Sequence, residues 1–188
     1  DSAYWNSGFW KMLREIPEKI QIPLYVREGW YDHHLGSALA TYRCLSQKSR
    51  AHSTLEIGPW NHGYQCVISH QSTNNLVDNS ISSPIEWFDL ILRKKELPSE
   101  TVKEYIIGED RWDMGNCYPL PTKGTLRFFL SSNGTLLSKS ESQTAMSQFI
   151  YDPENPVESH GAESVLHTMS EAGSLVQPSP SYRQDIIS

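Results

Sequence analysis

The sequence contains few cysteines, and nothing in their arrangement suggests a disulfide framework or a cysteine-based metal site. Cys44, Cys66 and Cys117 are widely spaced, odd in number, and include no C-x-x-C. Isolated thiols of this kind fit a reducing compartment better than a secreted, disulfide-stabilised scaffold. We therefore expect a cytoplasmic protein.

Signals for membranes and nucleic acids are also lacking. No apolar run approaches the roughly 18 residues of a membrane-spanning helix, and no basic-then-apolar leader opens the chain. Sixteen basic residues against 22 acidic ones give a formal net charge of −6. That sign opposes binding to a nucleic acid or an anionic membrane surface. We expect neither as a partner, and no motif in the sequence indicates a cofactor.

What the sequence does contain is a globular composition, with 38% hydrophobic and 11% aromatic residues. Aromatic residues recur at helical spacing over residues 4–14, and prolines then mark a connector. A compact apolar run at 24–26 is typical of a buried parallel strand, and residues 53–57, which end at Gly58-Pro59, predict a second strand. The leucines and the tyrosine within 34–48 have helical spacing between them. Strand, helix and strand within so short a stretch predict a βαβ unit.

A loop and a helix follow the second predicted strand, and the pattern changes after Pro98. Residues 64–80 are polar and predict a loop, and Pro84 opens a second helix that extends through Leu92. Beyond Pro98, short apolar segments at 102–107, 126–130 and 149–151 are separated by turn residues, which is typical of a β-sandwich. We therefore predict a domain boundary near residue 98.

An acid and an imidazole follow the two predicted parallel strands. Asp32 lies in Gly29-Trp30-Tyr31-Asp32, shortly after the first strand, and His62 lies in Gly58-Pro59-Trp60-Asn61-His62-Gly63, after the second. Functional groups of α/β folds gather at the carboxyl ends of strands, and neighbouring strands lie about 4.8 Å apart. The two side chains can therefore touch, and the carboxylate would then orient the imidazole as a proton acceptor.

Simpler interpretations exist for the same residues. Asp32 could cap the helix that begins near His34, and His62 could be a loop histidine with an ordinary hydrogen bond. Asp32, His33 and His34 could suggest a metal site, but consecutive residues on a helix point in different directions, so we expect no metal here.

These two motifs and several further segments occur in an order that resembles the cocaine-esterase and X-Pro dipeptidyl-peptidase family of serine hydrolases. Their order and spacing agree over nearly the whole chain, although no single motif is decisive. The matching segments are Ile22-Pro23-Leu24, Gly29-Trp30-Tyr31-Asp32, Ile57-Gly58-Pro59-Trp60-Asn61-His62-Gly63, Trp87-Phe88-Asp89, Ile107-Gly108-Glu109-Asp110-Arg111-Trp112, Phe129-Leu130-Ser131-Ser132-Asn133-Gly134-Thr135-Leu136, Tyr151-Asp152-Pro153-Glu154-Asn155-Pro156-Val157 and Tyr182-Arg183-Gln184-Asp185.

The resemblance implies an α/β fold: the C-terminal portion of an α/β-hydrolase domain followed by the beginning of a β-sandwich (jelly-roll) domain. Residues 1–21 would end the cap or form a connector, 22–98 would complete the hydrolase domain, and 99–188 would start the jelly roll. By position, Asp32 resembles the triad acid, His62 the general base, and His34 a residue that lines the acyl pocket. Glu28 departs from the pattern, where a small residue is expected.

A second departure is the absence of the G-x-S-x-G nucleophile motif, which in the family precedes everything matched here. We therefore expect part of a serine hydrolase that acts on a small-molecule ester or peptide, inactive as the chain alone. A companion segment or a homo-oligomer would complete the fold. The alternative is a non-catalytic β-sandwich binding or assembly module with a vestigial α/β segment, using aromatic residues such as Trp112, Tyr118, Phe128 and Phe129.

Overall fold

The computed structural model describes most of the first 141 residues and a few later ones. The described residues are 2–63, 82–133, 135–141, 146, 148, 150–158, 160–161, 173, 175–177 and 179. The expected loop at 64–80, Cys66, Phe149 in the strand expected at 149–151, and the motif at 182–185 lie outside them. Cys44 and Cys117 are free and exposed. In the described part of the chain, none of the helices combines the length and apolar character that crossing a bilayer requires.

The chain begins with helices and then alternates helices with strands. The helices are α1 (Ser2–Trp5), α2 (Gly8–Lys19), α3 (Leu35–Cys44), α4 (Gln47–Arg50) and α5 (Ser82–Leu92). The strands are β1 (Tyr25–Tyr31), β2 (Thr54–Asn61), β3 (Thr101–Ile106), β4 (Arg111–Gly115), β5 (Phe129–Leu130) and β6 (Leu136–Leu137). Helix α2 continues through Pro17 to Lys19, so the segment expected to be a connector is helical for its first residues.

Four strands form one sheet in the order β1-β2-β3-β4. Strands β1, β2 and β3 are parallel, and β4 returns antiparallel to β3. The βαβ unit is therefore present as predicted, with α3 and α4 between β1 and β2. The mixed helix and sheet architecture agrees with the α/β class. The jelly-roll continuation stays a prediction, since β5 and β6 form only a two-stranded antiparallel sheet.

The strand at Thr101–Ile106 lies elsewhere than the sequence suggested. It was expected to open the sandwich, yet it pairs in parallel with β2 from Thr54↔Thr101 to Ile57↔Glu104. Val102 and Tyr105 are both fully buried, which explains its place inside the larger sheet. Grouping by contacts gives two units, Asp1–Pro121 with Gly161–Ser174, and Thr122–His160 with Leu175–Ser188. The sheet thus continues past residue 98, where we had placed the boundary.

The main core lies between this sheet and the helix that follows β1. It contains the buried side chains Leu35, Tyr42, Leu45, Leu55, Ile57 and Val102. A smaller cluster around Tyr105 includes Tyr31 and Trp112. At about 25 cal/mol per Å² of apolar surface removed from water, burying side chains of this size is the main stabilising contribution to the sheet. Both clusters support the strands whose carboxyl ends carry the acid and the imidazole.

Candidate active site

Asp32 and His62 each follow directly on a strand. Strand β1 ends at Tyr31 and strand β2 at Asn61, and these two terminal residues are partners in the parallel register. The next residue on each strand is the acid or the imidazole. Two parallel neighbours thus deliver a carboxylate and an imidazole to the same edge of the sheet.

A β-bulge sets this alignment. Gly29 pairs with Gly58, but Tyr31 pairs with Asn61, so β2 contains one more residue than β1 over this stretch. Continued regular pairing from Gly29 and Gly58 would have placed Asn61 opposite Asp32. The extra residue instead brings His62 level with Asp32. Bulges commonly re-aim a side chain beside an active site, because one inserted residue shifts all that follow.

The two glycines that open the motifs are required by this bulge. A Cβ on Gly29 would lie 2.0 Å from the backbone oxygen of Trp60, far inside van der Waals contact. A Cβ on Gly58 would lie 2.2 Å from the Trp60 ring. Both glycines therefore make room for Trp60, the residue at the bulge. The sequence showed these glycines only as parts of the motifs, without their role.

The carboxylate and the imidazole are in hydrogen-bond contact. Nδ1 of His62 lies 3.0 Å from Oδ2 and 3.2 Å from Oδ1 of Asp32. The backbone amide of His34 also donates to Oδ1 of Asp32, at 2.8 Å. The carboxylate therefore both binds the imidazole and holds the turn before α3, so the two interpretations of Asp32 are compatible. The catalytic roles themselves stay predictions.

Burial differs sharply between the two partners. Asp32 is only 4% exposed, whereas the His62 side chain is 55% exposed. Burial acts to raise the pKa of Asp32, but the amide of His34 and the hydrogen bond and charge of His62 outweigh it and lower that pKa. The acid is therefore an anion at neutral pH.

Glu28 is a member of this site that the sequence analysis did not identify. It lies on β1, four residues before Asp32. Burial, the charge of Asp32 and a hydrogen bond with the Asp32 carboxyl raise the pKa of Glu28 to about 7, although the His62 charge acts to lower it. The only signal in the sequence was that a large acid stood where the family pattern has a small residue.

Two further histidines lie beside the pair. The His33 ring centroid is 4.7 Å from that of His62, and the His34 centroid is 5.1 Å from it. The structure therefore places His34 at the site, exposed, where the resemblance put a substrate contact. One ligand nitrogen from each of His33, His34 and His62 lies within 4.8 Å of the others. The sequence suggests Asp32, His33 and His34 as candidate metal ligands, whereas in the structure His62 and not Asp32 joins the two histidines.

The opposite face of the two strands carries a buried ion pair. Nε of Arg27 on β1 lies 3.5 Å from Oε1 of Glu56 on β2, and the hydroxyl of Tyr25 donates to the same carboxylate. The Arg27 guanidinium also lies over the Trp60 ring, 4.2 Å from its centroid. These contacts link β1 to β2 and to Trp60 at the bulge, on the two strands that lead to the acid and the imidazole.

Aromatic residues anchor the end of β1 to the rest of the sheet. The indole N–H of Trp30 donates to the backbone oxygen of Tyr105 at 2.8 Å. The Trp112 ring packs against Tyr105 at 5.5 Å and against Trp60 at 5.8 Å between centroids. Trp112, which the sequence analysis considered as a binding aromatic, therefore belongs to the packing of this region.

Parallel strands flanked by helices, with a buried carboxylate holding an exposed imidazole at their ends, define an α/β protein with an acid–base pair. Comparison with known proteins makes the class more specific. Residues 1–64, which include both members of the pair, match the X-Pro dipeptidyl-peptidase (S15 family). The chain is also 28% identical to the cocaine esterase of Rhodococcus sp. (strain MB1 Bresler) in an alignment 167 residues long that covers 77% of this chain.

Both matches confirm the resemblance to the cocaine-esterase and X-Pro dipeptidyl-peptidase family that the sequence motifs indicated. The chain spans 28% of the length of that cocaine esterase. A hydrolase is therefore the activity class that the family suggests.

Proposed function

We propose that this chain supplies the acid and the base of a serine hydrolase that cleaves an acyl ester or amide, of the esterase or X-Pro dipeptidyl-peptidase type. The observation that carries the proposal is the 3.0 Å contact between His62 Nδ1 and the Asp32 carboxylate. The matching family and the similar protein are both named for hydrolases, which adds support.

In this mechanism Asp32 accepts the Nδ1–H of His62 and so fixes the tautomer whose Nε2 carries the lone pair. Nε2 removes the proton from a serine hydroxyl as the oxygen attacks the substrate carbonyl. The imidazolium then gives that proton to the leaving alcohol or amine, and an acyl-enzyme remains. Water deprotonated by the same nitrogen hydrolyses the acyl-enzyme. The buried carboxylate stabilises the imidazolium in each step.

The serine of this proposed triad is not among these 188 residues. No serine in the sequence has glycines two residues before and two after it, as the nucleophile motif of α/β-hydrolases requires. We therefore assign the nucleophile to another part of the intact protein, and we expect the 188-residue chain alone to be inactive.

Substrate contact is proposed for His34 as well. Its exposed ring lies beside His62, so an acyl group bound for attack would meet it. The substrate class, a small-molecule ester or a peptide, is proposed from the two relatives only. A jelly roll begun by the region after residue 121 would complete the family architecture. The comparisons do not favour the binding-module alternative, since both lead to hydrolases.

A fluorophosphonate probe tests the triad, because it reacts covalently only with an activated serine. In the intact protein we expect rapid labelling, and we expect His62→Ala to slow it by about 10⁴-fold or more, the usual cost of losing a triad member. His160→Ala is the matched control, since His160 is exposed and belongs to the other unit of the chain; it should label like the unmodified protein.

Two results would contradict the proposal. Equal labelling rates for His62→Ala and His160→Ala would remove His62 from catalysis. Labelling of the isolated 188-residue chain that depends on His62 would show that the nucleophile lies within it.

A further inference from the structure

Three imidazoles converge at the carboxyl ends of β1 and β2. His33 and His34 are consecutive in the turn that follows Asp32, and the bulge in β2 brings His62 level with them. One ligand nitrogen from each ring lies within 4.8 Å of the others. The His33 and His34 rings lie 3.9 Å apart between centroids. Three nitrogen donors this close form a candidate set of metal ligands.

The hydrogen bonds around the cluster leave suitable atoms for a metal. Nδ1 of His62 is engaged by Asp32, so its Nε2 is the nitrogen that can coordinate. A histidine ligand whose other ring nitrogen is held by a carboxylate is the usual arrangement around protein-bound zinc, because the carboxylate fixes the ring and raises its basicity. Nδ1 of His33 is buried and makes no hydrogen bond within the described residues; it lies 3.7 Å from Oδ1 of Asp32.

The geometry needs only side-chain adjustment. Two nitrogens on a tetrahedral zinc, each at 2.0–2.1 Å from the metal, lie about 3.4 Å apart. The observed limit of 4.8 Å must therefore close by about 1.4 Å. His34 is exposed, so rotation of its side chain can supply much of this movement without disturbing the core or the contact of His62 with Asp32. Three histidines would leave a fourth position open to water.

We propose that His33, His34 and His62 form a binding site for one divalent transition-metal ion of the zinc class. Imidazole nitrogens suit zinc, copper and nickel, whereas magnesium and calcium prefer oxygen ligands. A metal on Nε2 of His62 occupies the lone pair that would accept the serine proton. The ion therefore inhibits hydrolysis, and this second half of the inference rests on the proposed function.

Calorimetric titration of the intact protein with zinc chloride tests the binding without reference to activity. We expect one saturable site that His34→Asn weakens about tenfold or more, since one of three ligands is lost. His33→Asn should weaken it similarly, and His160→Asn should leave it unchanged. Magnesium chloride should give no saturable heat. If circular dichroism shows that His33→Asn is unfolded, the zinc affinity of His34→Asn, a variant at an exposed position, decides whether the site exists.

The inhibitory half is tested by the rate of fluorophosphonate labelling at increasing zinc concentration. Half-inhibition should fall at the calorimetric dissociation constant, and His34→Asn should shift both values by the same factor relative to its own zinc-free rate. Binding unaffected by His33→Asn and His34→Asn, or no zinc binding at all, would overturn the site. Zinc binding without inhibition would overturn the inhibitory role, and an intact protein that is never labelled would refute the proposed function while leaving the metal site standing.

Discussion

The two strands that lead to the candidate site differ in burial. The site residues that follow them also differ in burial, but in the opposite way. Strand β2 is buried at all eight positions, whereas β1 has one buried position in seven. Yet β1 is followed by the buried Asp32 and β2 by the exposed His62. An anion kept from water orients the imidazole strongly, and an exposed imidazole can reach a substrate. The contrast shows that the residues just after the strands, and not the burial of the strands themselves, set the exposure of the acid and the imidazole.

The buried strand should be the more sensitive to a lost charge. Glu56→Ala removes the carboxylate that faces Arg27 and leaves a largely buried guanidinium without it. Breaking a buried pair costs about 3–5 kcal/mol. We expect the free energy of unfolding of the intact protein, measured by urea denaturation, to fall by about that amount.

Two variants sharpen this result. Asp89→Ala breaks the exposed pair, 3.1 Å apart, between Asp89 on α5 and Arg93 just after it, and exposed pairs contribute at most about 1 kcal/mol. The double variant Arg27→Met, Glu56→Leu removes both charges and should recover most of the stability lost in Glu56→Ala. An equal loss from Glu56→Ala and Asp89→Ala would show that burial does not distinguish these pairs.

The bulge should be the next most sensitive feature. Gly29→Ala adds a Cβ 2.0 Å from the Trp60 backbone oxygen, and a backbone atom cannot move aside as a flexible side chain can. Overpacking of this kind costs about 1–3 kcal/mol, and any shift of the bulge moves His62 away from Asp32. We therefore expect lower stability together with slower fluorophosphonate labelling.

Gly36→Ala is the matched control, because a Cβ there meets nothing within 4 Å. It should preserve both stability and labelling. Normal labelling in a folded Gly29→Ala protein would show that the alignment of His62 with Asp32 tolerates the extra atom.

The smallest expected effect concerns Glu28, on the less buried strand β1. Burial and the Asp32 charge raise its folded pKa from the ordinary 4.5 to about 7. A raised pKa means that its contribution to stability is complete below pH 4.5 and is lost as the pH rises towards 7. Glu28→Gln mimics the protonated form, so its stability relative to the unmodified protein should increase across that interval.

Thermal unfolding at a series of pH values from 4.5 to 8 measures this difference for Glu28→Gln. The pKa of Asp32 is lowered, so its own contribution is lost only under more acidic conditions and does not interfere. Glu18→Gln, at an exposed position of α2, serves as the control and should show no such trend. A flat difference for Glu28→Gln would mean that this carboxyl titrates as in water.

The described residues after 121 show where sequence patterns were least informative. Leu126 and Ile150 are each at least 85% exposed, although both lie in apolar segments for which the sequence predicts strands. The segment at 101–106 has the same local pattern and is a buried strand of the larger sheet. The segments are similar in local composition. The segment at 101–106 is a buried strand because it pairs with one edge of β2.

The sequence by itself determined the βαβ unit and the order of acid and base. Apolar runs, helical spacing and the parallel crossover together require that residues following β1 and β2 meet at one edge of the sheet. Only the tertiary structure decided the one-residue bulge that sets His62 level with Asp32, the contact of Glu28 with that acid, and the approach of His33 and His34 to His62. These depend on packing around Trp60 and on residues distant in the chain, and no local pattern encodes such contacts.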